Sequence, residues 1–211
     1  MSKTNVKRRL YLAYGSNMNL GQMSRRCPTA KVVGNTMLPN WKLVFNGVAS
    51  VERSKGDSVP VVVWDIQPKD EKALDIYEGW PRLYRKEMRR IRLDGKLVNA
   101  MIYIMNNVRY YSPPHTSYFN TILEGYKSAG FDTQILYEAA EQSKRKEKNT
   151  MDTTIEEQIK AVAATGRTNM FDANAVQRIA NDMELYELVC FIEDDRRAYS
   201  RFILSGKRDT E

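Results

Sequence analysis

The chain has 211 residues, of which 42% are hydrophobic and 28% charged, and its formal net charge is +7. This composition excludes whole-chain disorder, collagen and coiled coil, and the length fits one or two domains. The excess of positive charge supports weak attraction to anions, but no Lys/Arg block is long enough to form a nucleic-acid-binding arm.

The first elements are short. Residues 1–9 lead directly into an apolar run without a secretory signal pattern, and no run approaches the ~20 residues of a membrane span. We therefore expect a cytoplasmic protein without membrane contact. Residues 10–14 predict a strand that stops at the turn composition Gly15-Ser16-Asn17. Met18–Arg26 predicts one or two helical turns before Cys27-Pro28.

Three strands and a helix are predicted next. The strand candidates lie at residues 30–38, 41–45 and 59–66, and the last is rich in β-branched residues, as buried strands are. Pro68 opens a helix whose predicted end is Tyr77-Glu78-Gly79, since glycine commonly stops helices.

A hairpin follows, with strands at residues 84–93 and 97–105 joined by Asp94-Gly95. Its first strand is strongly basic, with a single Glu87 against a set of cations: Arg85, Lys86, Arg89, Arg90 and Arg92. Such a strand could bind phosphate groups, or it could be a solvated sheet edge protected by charge. The second interpretation is the commoner one.

The single histidine, His115, follows a double proline and is interpreted as a solvated helix start. One histidine and two distant cysteines, Cys27 and Cys190, provide neither a zinc site nor a disulfide framework nor a CxxC spacing. We therefore predict that no metal and no cofactor is needed. Helices are predicted at residues 116–129 and 133–147.

A boundary is predicted in the polar, aperiodic residues 141–152, which read as a linker. This divides the chain into a domain of residues 1–140 and a small helical domain of residues 153–211. In the latter, Thr154 with Glu157 forms a capping-box pattern. Its apolar faces are small, so we expect docking or self-association into a homodimer.

The strongest chemical signal pairs the turn after the first strand with Glu78, a carboxylate at a helix end. A strand-to-turn segment with glycine can aim consecutive backbone N–H groups at one point, which suits a carboxylate ligand. By residue type alone, an ordinary turn and a solvated helix-end carboxylate are the commoner interpretations.

These residues resemble the γ-glutamylcyclotransferase-like (AIG2-like) family. Leu12–Met18 matches the family's YGSN-type loop, and Glu78-Gly79 with Tyr84 matches its E-G-x(4)-Y spacing. Paired, the two motifs are fairly specific. The resemblance spans roughly residues 8–140 and includes further positions: Pro113-Pro114, Tyr118, Glu124-Gly125-Tyr126 and Gly130-Phe131.

The resemblance implies an α+β fold, a small β-barrel flanked by helices with a cavity at one end, followed here by an all-α module. It also implies a lyase or acyltransferase activity that cyclises a small γ-glutamyl amide to 5-oxoproline and releases the amine. Glu78 would be the catalytic acid/base. The implied substrate-binding residues are Tyr14, Gly15, Ser16, Asn17, Met18, Asn19, Tyr84 and Tyr110, with Tyr111 as an alternative to Tyr110.

The tail has its own resemblance: Gly166–Ala180 is similar to a short bacterial domain of unknown function, which implies no activity. Acidic residues offset the arginines there, which disfavours nucleic acid as its partner. Two functions stay open: the cyclotransferase, and a non-catalytic module that binds a small carboxylate while its tail contacts protein or nucleic acid.

Overall fold

The computed structural model describes residues 8–106 and 111–205, within which the chain forms five β-strands and seven α-helices. The strands are β1 Arg9–Ala13, β2 Lys31–Asn46, β3 Val48–Ile66, β4 Tyr84–Leu93 and β5 Lys96–Met105. The helices are α1 Leu20–Arg26, α2 Pro68–Glu78, α3 Thr116–Ala129, α4 Gln134–Ala164, α5 Ala173–Asp182, α6 Tyr186–Asp194 and α7 Arg196–Ser205, and a short 3-10 helix spans Ser16–Met18.

The five strands form one mixed sheet in the order β2-β3-β1-β5-β4. The central strand β1 is antiparallel to β3 and parallel to β5, so that Leu12 pairs with Val63 on one side and Ile102 on the other. All three residues are buried. An apolar strand between two apolar neighbours is the pattern expected of a sheet covered on both faces.

The sheet is not closed, so the predicted β-barrel is wrong, whereas the α+β class is confirmed. Within the described residues, β2 and β4 are edge strands without a ladder between them. The sheet nevertheless curls so far that its two edge strands approach each other: the Thr36 hydroxyl on β2 donates to the Arg92 carbonyl on β4 over 2.7 Å. A backbone ladder would close the barrel, and a single side-chain hydrogen bond does not.

The predicted strands at residues 30–38 and 41–45 are one continuous strand, β2. An irregularity between Pro39 and Trp41, with Asn40 at φ 62°, bends the strand without ending it. Its partner β3 begins at Val48, well before the predicted start at residue 59, because the polar segment in between remains paired in a long hairpin. Bulges commonly bend strands in this way.

The polar residues 141–152, predicted to be a linker, are helical and lie in the middle of α4. They contain neither proline nor glycine, and Lys, Glu, Gln and Arg are good helix formers. The missing apolar periodicity therefore reflects a solvated helix surface. The predicted cap at Thr154 is also wrong, because its hydroxyl donates to the Thr150 carbonyl within the helix.

The chain divides into two compact units, Met1–Glu147 and Lys148–Glu211. Each has its own apolar core: the first is built on the sheet, and the second on residues such as Ile155, Val176 and Tyr199. The assignment of separate roles to these units stays a prediction. Across the described ranges, no helix is long and apolar enough to cross a membrane.

Candidate active site

A cavity of about 290 Å³ opens where β1 runs into the turn at Tyr14, beside the end of α2. It brings together the two motifs that the sequence separates by some sixty residues. Its lining is Tyr11, Tyr14, Gly15, Ser16, Asn17, Val48, Ala49, Tyr77, Glu78, Leu83, Tyr84, Tyr103 and Tyr118.

Side chains of β3 and α2 hold the turn after β1 in place. The Trp64 indole N–H donates to the Asn17 carbonyl over 3.1 Å, and the Ser16 hydroxyl lies 3.0 Å from the Tyr77 hydroxyl. In the described part of the chain, the backbone N–H groups of Ser16 and Asn17 have no protein acceptor. The turn can therefore offer two donors to an anionic group in the cavity.

Two close approaches require glycine around this turn. A Cβ at Gly15 would lie 3.2 Å from the Ala49 Cβ and 3.4 Å from the Tyr118 hydroxyl. A Cβ at Gly125 of α3 would lie 2.7 Å from the Met18 Cβ and 2.9 Å from the Met18 carbonyl carbon. The helix thus packs directly onto the backbone of the turn and holds it in place.

Glu78 is the last residue of α2, and the helix is well specified at both ends. Pro68 occupies the first turn, and the Gln67 N–H donates to the buried Asp70 carboxylate over 2.9 Å. Gly79 adopts the left-handed conformation, φ 65°, that ends many helices. The helix therefore stops where the Glu78 side chain enters the wall of the cavity.

A polar network joins Glu78 to the turn. The Asn17 amide NH2 donates to the Glu78 carboxylate and to the Tyr11 hydroxyl, both over 2.9 Å. The Asn17 amide oxygen accepts from the Arg26 guanidinium, which also stacks 3.2 Å from the centroid of the Tyr77 ring. Because Arg26 engages the oxygen, the amide nitrogen is directed at Glu78.

Burial raises the pKa of Glu78 to about 7, against lowering contributions from Arg26 and from the Asn17 hydrogen bond. The position of Glu78 at a helix C-terminus acts in the same direction as burial, because the negative end of the helix dipole disfavours a second negative charge. A carboxyl with such a pKa exchanges its proton near neutral pH, as acid/base catalysis requires.

Six of the thirteen residues that line the cavity are tyrosines. Burial raises the pKa of Tyr118 to about 12, and it raises the pKa of Tyr11, Tyr14 and Tyr84 as well. The Tyr14 hydroxyl is engaged with the Tyr103 carbonyl at 2.9 Å. The wall is thus aromatic and uncharged, which explains why the Glu78 carboxyl is poorly solvated.

The predicted site residues divide into three groups. Those that line the cavity are Tyr14, Gly15, Ser16, Asn17, Glu78 and Tyr84. Met18 and Asn19 do not line it: Met18 is buried against α3, and Asn19 caps α1 by accepting from the Gln22 N–H. Tyr110 lies outside the described residues. The alternative, Tyr111, donates to Glu52 over 2.7 Å and does not line the cavity.

Arg26 and Tyr11 were missed by the sequence analysis, although both contact Asn17. Tyr11 alternates along β1 in the usual pattern of a strand, so only its hydroxyl distinguishes it from a core aromatic. Arg26 lies in the last turn of a short helix, where a basic residue is common without any site. No local signal in the sequence identifies either one.

Comparisons with known proteins find two family models that match this chain. The family model described as "Gamma-glutamyl cyclotransferase, AIG2-like" matches residues 11–121, just over half of the chain. A second model, "Domain of unknown function (DUF5049)", matches residues 151–207.

Curated relatives carry the name gamma-glutamylcyclotransferase. Human gamma-glutamylcyclotransferase is 29% identical in an alignment 173 positions long that covers 75% of this chain and 89% of that protein. The mouse protein is 30% identical in an alignment 135 positions long that covers 57% of this chain and 71% of the mouse protein. A solved structure of a gamma-glutamyl cyclotransferase superimposes with a TM-score of 0.56 at 26% identity, covering 63% of this chain and 86% of that one.

Proposed function

The chain belongs to the gamma-glutamyl cyclotransferase, AIG2-like family, and from this premise we propose that it is an enzyme that cyclises a small γ-glutamyl amide. The products are 5-oxoproline and the free amine. Glu78 is the acid/base. The turn from Tyr14 to Asn17 binds the γ-glutamyl moiety, with the free N–H groups of Ser16 and Asn17 directed at its α-carboxylate.

The reaction needs one proton to move twice. The substrate's α-amine attacks its own γ-carbonyl carbon, forming the ring C–N bond, and Glu78 accepts a proton from the attacking nitrogen. The C–N bond to the leaving amine then breaks, and Glu78 returns the proton to that nitrogen. Because attack is intramolecular, holding the substrate folded in a narrow cavity contributes much of the acceleration.

The observation that carries this proposal is the position of the Glu78 carboxylate, which lines the same cavity as the turn and lies 2.9 Å from the Asn17 amide nitrogen. Burial there raises its pKa to about 7. An exposed glutamate is almost fully ionised at neutral pH and is a weak base. Glu78 is available in both protonation states there. Asn17 holds the carboxylate next to the turn, which places the base beside the proposed carboxylate-binding donors.

The test is the variant Glu78→Gln, which is nearly isosteric with Glu78 but cannot carry a proton between nitrogens. We expect kcat for 5-oxoproline release to fall by roughly 100- to 10,000-fold while ligand affinity is largely kept, because this is the usual contribution of a general acid/base. The assay panel comprises γ-glutamyl amino acids, γ-glutamylamines and glutathione.

Glu138→Gln is the matched control, since Glu138 is an exposed carboxylate on α4 that does not line the cavity. It should leave kcat unchanged. Retention of more than about a tenth of wild-type kcat in folded Glu78→Gln would contradict the assignment of the acid/base. Ligand binding by the wild type without turnover on any member of the panel would favour the non-catalytic carboxylate-binding module instead.

A further inference from the structure

A second cavity of about 290 Å³ lies on the sheet and shares no lining residue with the tyrosine-lined cavity. We name it the arginine groove, after Arg53, Arg85 and Arg89, which line it together with Trp41 and Glu87. It belongs entirely to the first compact unit. The proposed cyclotransferase chemistry does not use it.

Strand geometry collects the arginines on one face. Side chains alternate along a strand, so Arg85, Glu87 and Arg89 of β4 point to the same side. In the β2-β3 ladder, Arg53 is the direct partner of Trp41. Trp41 and Arg53 lie on β2 and β3, and Arg85, Glu87 and Arg89 lie on β4 at the other edge of the sheet. The curl of the sheet brings these two groups of residues together in the groove.

The groove has more cations than anions. Glu87 accepts from Arg85 over 2.7 Å and also pairs with Arg89, so a single carboxylate serves two guanidinium groups. Within the described residues, no carboxylate pairs with Arg53. Glu52, which also borders the groove, is already engaged by Lys42 at 2.8 Å.

The residues of the groove leave its positive charge incompletely satisfied. The Nε of Arg89 is buried and has no hydrogen-bond partner among the described residues. The pKa of Arg89 is lowered from its ordinary value, first by burial and then by the neighbouring Arg53 and Arg85 charges. Like charges held close together around one carboxylate are stabilised by an additional anion.

We propose that the arginine groove binds the phosphate group of a small ligand. Guanidinium groups match phosphate oxygens in geometry and charge, and the exposed Arg53 and Arg85 flank the groove, where they can reach such a group.

Single-stranded nucleic acid fits the groove less well. Its recognition uses aromatic faces on which bases stack. Trp41, the aromatic side chain of the groove, is 3% exposed, and the Arg53 and Arg89 guanidinium carbons lie 4.2 and 5.2 Å from its ring centroid. With that ring covered, the groove presents cations without a stacking platform, which favours a small phosphate.

The test is equilibrium binding of inorganic phosphate to the full chain at about pH 8, where the dianion predominates, against sodium chloride at matched ionic strength. We expect one saturable site in the wild type. The double variant Arg53→Gln/Arg85→Gln should weaken it about tenfold or more, because it removes two charge-assisted contacts. Glutamine keeps part of the aliphatic stem that covers Trp41.

Arg90→Gln is the control: it removes one positive charge from β4 on the face opposite Arg85, and phosphate affinity should stay unchanged. If the double variant does not fold, the exposed single variant Arg53→Gln provides the comparison. Three results would overturn the proposal. They are no saturable phosphate binding by the wild type, equal affinity in the folded arginine variants, or tighter binding of an RNA oligonucleotide than of phosphate. Since the readout is binding, it is independent of whether the chain turns over γ-glutamyl amides.

Discussion

At the scale of single residues, Asn17 organises the candidate site. Its carbonyl accepts from Trp64 and its amide nitrogen donates to Glu78, so it ties the base to the sheet. Its amide oxygen is engaged by Arg26. Arg26 contacts the network through Asn17 and Tyr77, which makes it a positioning residue in this proposal, and its positive charge also favours the ionised form of Glu78.

The pH dependence of turnover follows from Glu78. In the free enzyme the base must be deprotonated, so kcat/KM should rise with pH through about 7, the value to which burial raises the pKa of Glu78. If kcat/KM instead rose with pH near 4.5, the ordinary pKa of glutamate, the cavity would not raise the pKa of Glu78.

The same shift also affects stability. Glu78 holds its proton more tightly in the native state than in the unfolded chain. Its contribution to the free energy of unfolding is therefore greatest below about pH 4.5 and is lost as the pH rises through about 7. Glu78→Gln should remove this pH-dependent component of the free energy of unfolding, which denaturant titrations at several pH values would measure.

Replacing Arg26 tests the positioning role. We expect Arg26→Met to move the acid limb of kcat/KM to higher pH, because both the favourable charge and the orientation of Asn17 are lost. At neutral pH kcat/KM should fall roughly tenfold, within the range that a displaced catalytic group costs. Arg25→Met, at an exposed position one residue earlier in α1, is the control and should leave the pH profile unchanged. A purely structural role would lower stability without moving the limb.

At the scale of elements, the sequence predicts those segments whose signals are local. The Asp94-Gly95 hairpin turn has positive φ at both positions, as its residue types indicate, and His115 caps α3 by accepting from the Ser117 N–H. The continuity of β2 through Asn40 is not local, since it depends on pairing with β3. The continuation of α4 through residues 141–152 could not be predicted, because a helical segment that faces solvent has no apolar stripe.

The packing of α3 onto the turn predicts the effect of Gly125→Ala. In an ordinary helix this change is favourable by about 1 kcal/mol. Here the new Cβ would lie 2.7 Å from the Met18 Cβ, so the turn must shift, and we expect a net destabilisation of ~1–2 kcal/mol with a higher KM. Thermal unfolding and steady-state kinetics measure both effects. Ser128→Ala, at an exposed position of the same helix, should change neither one, and unchanged KM in Gly125→Ala would mean that the turn does not bind substrate.

At the scale of the whole molecule, the two apolar cores are separate and every residue that lines the tyrosine-lined cavity belongs to Met1–Glu147. Apolar spacing and capping residues predicted a small helical tail, and the family resemblance implied a cavity at one end of the first domain with Glu78 as its acid/base. The units divide between Glu147 and Lys148, within the polar residues 141–152 in which the sequence predicts a boundary, but this segment is helical and is not the predicted linker.

Truncation after Glu147 should therefore leave kcat and KM within a few-fold of the full chain. The shortened α4 keeps Ser143, whose hydroxyl accepts from the Phe45 N–H over 3.0 Å and donates to the Ala139 carbonyl, so the edge of the sheet stays satisfied. Truncation after Ala129 is the comparison, because it removes Ser143 and the buried Leu136 and should unfold the unit. Light scattering and thermal melts of the first truncation would show whether the tail contributes self-association or stability. Loss of both ligand binding and turnover in a well-folded truncated protein would instead mean that the tail completes the active site.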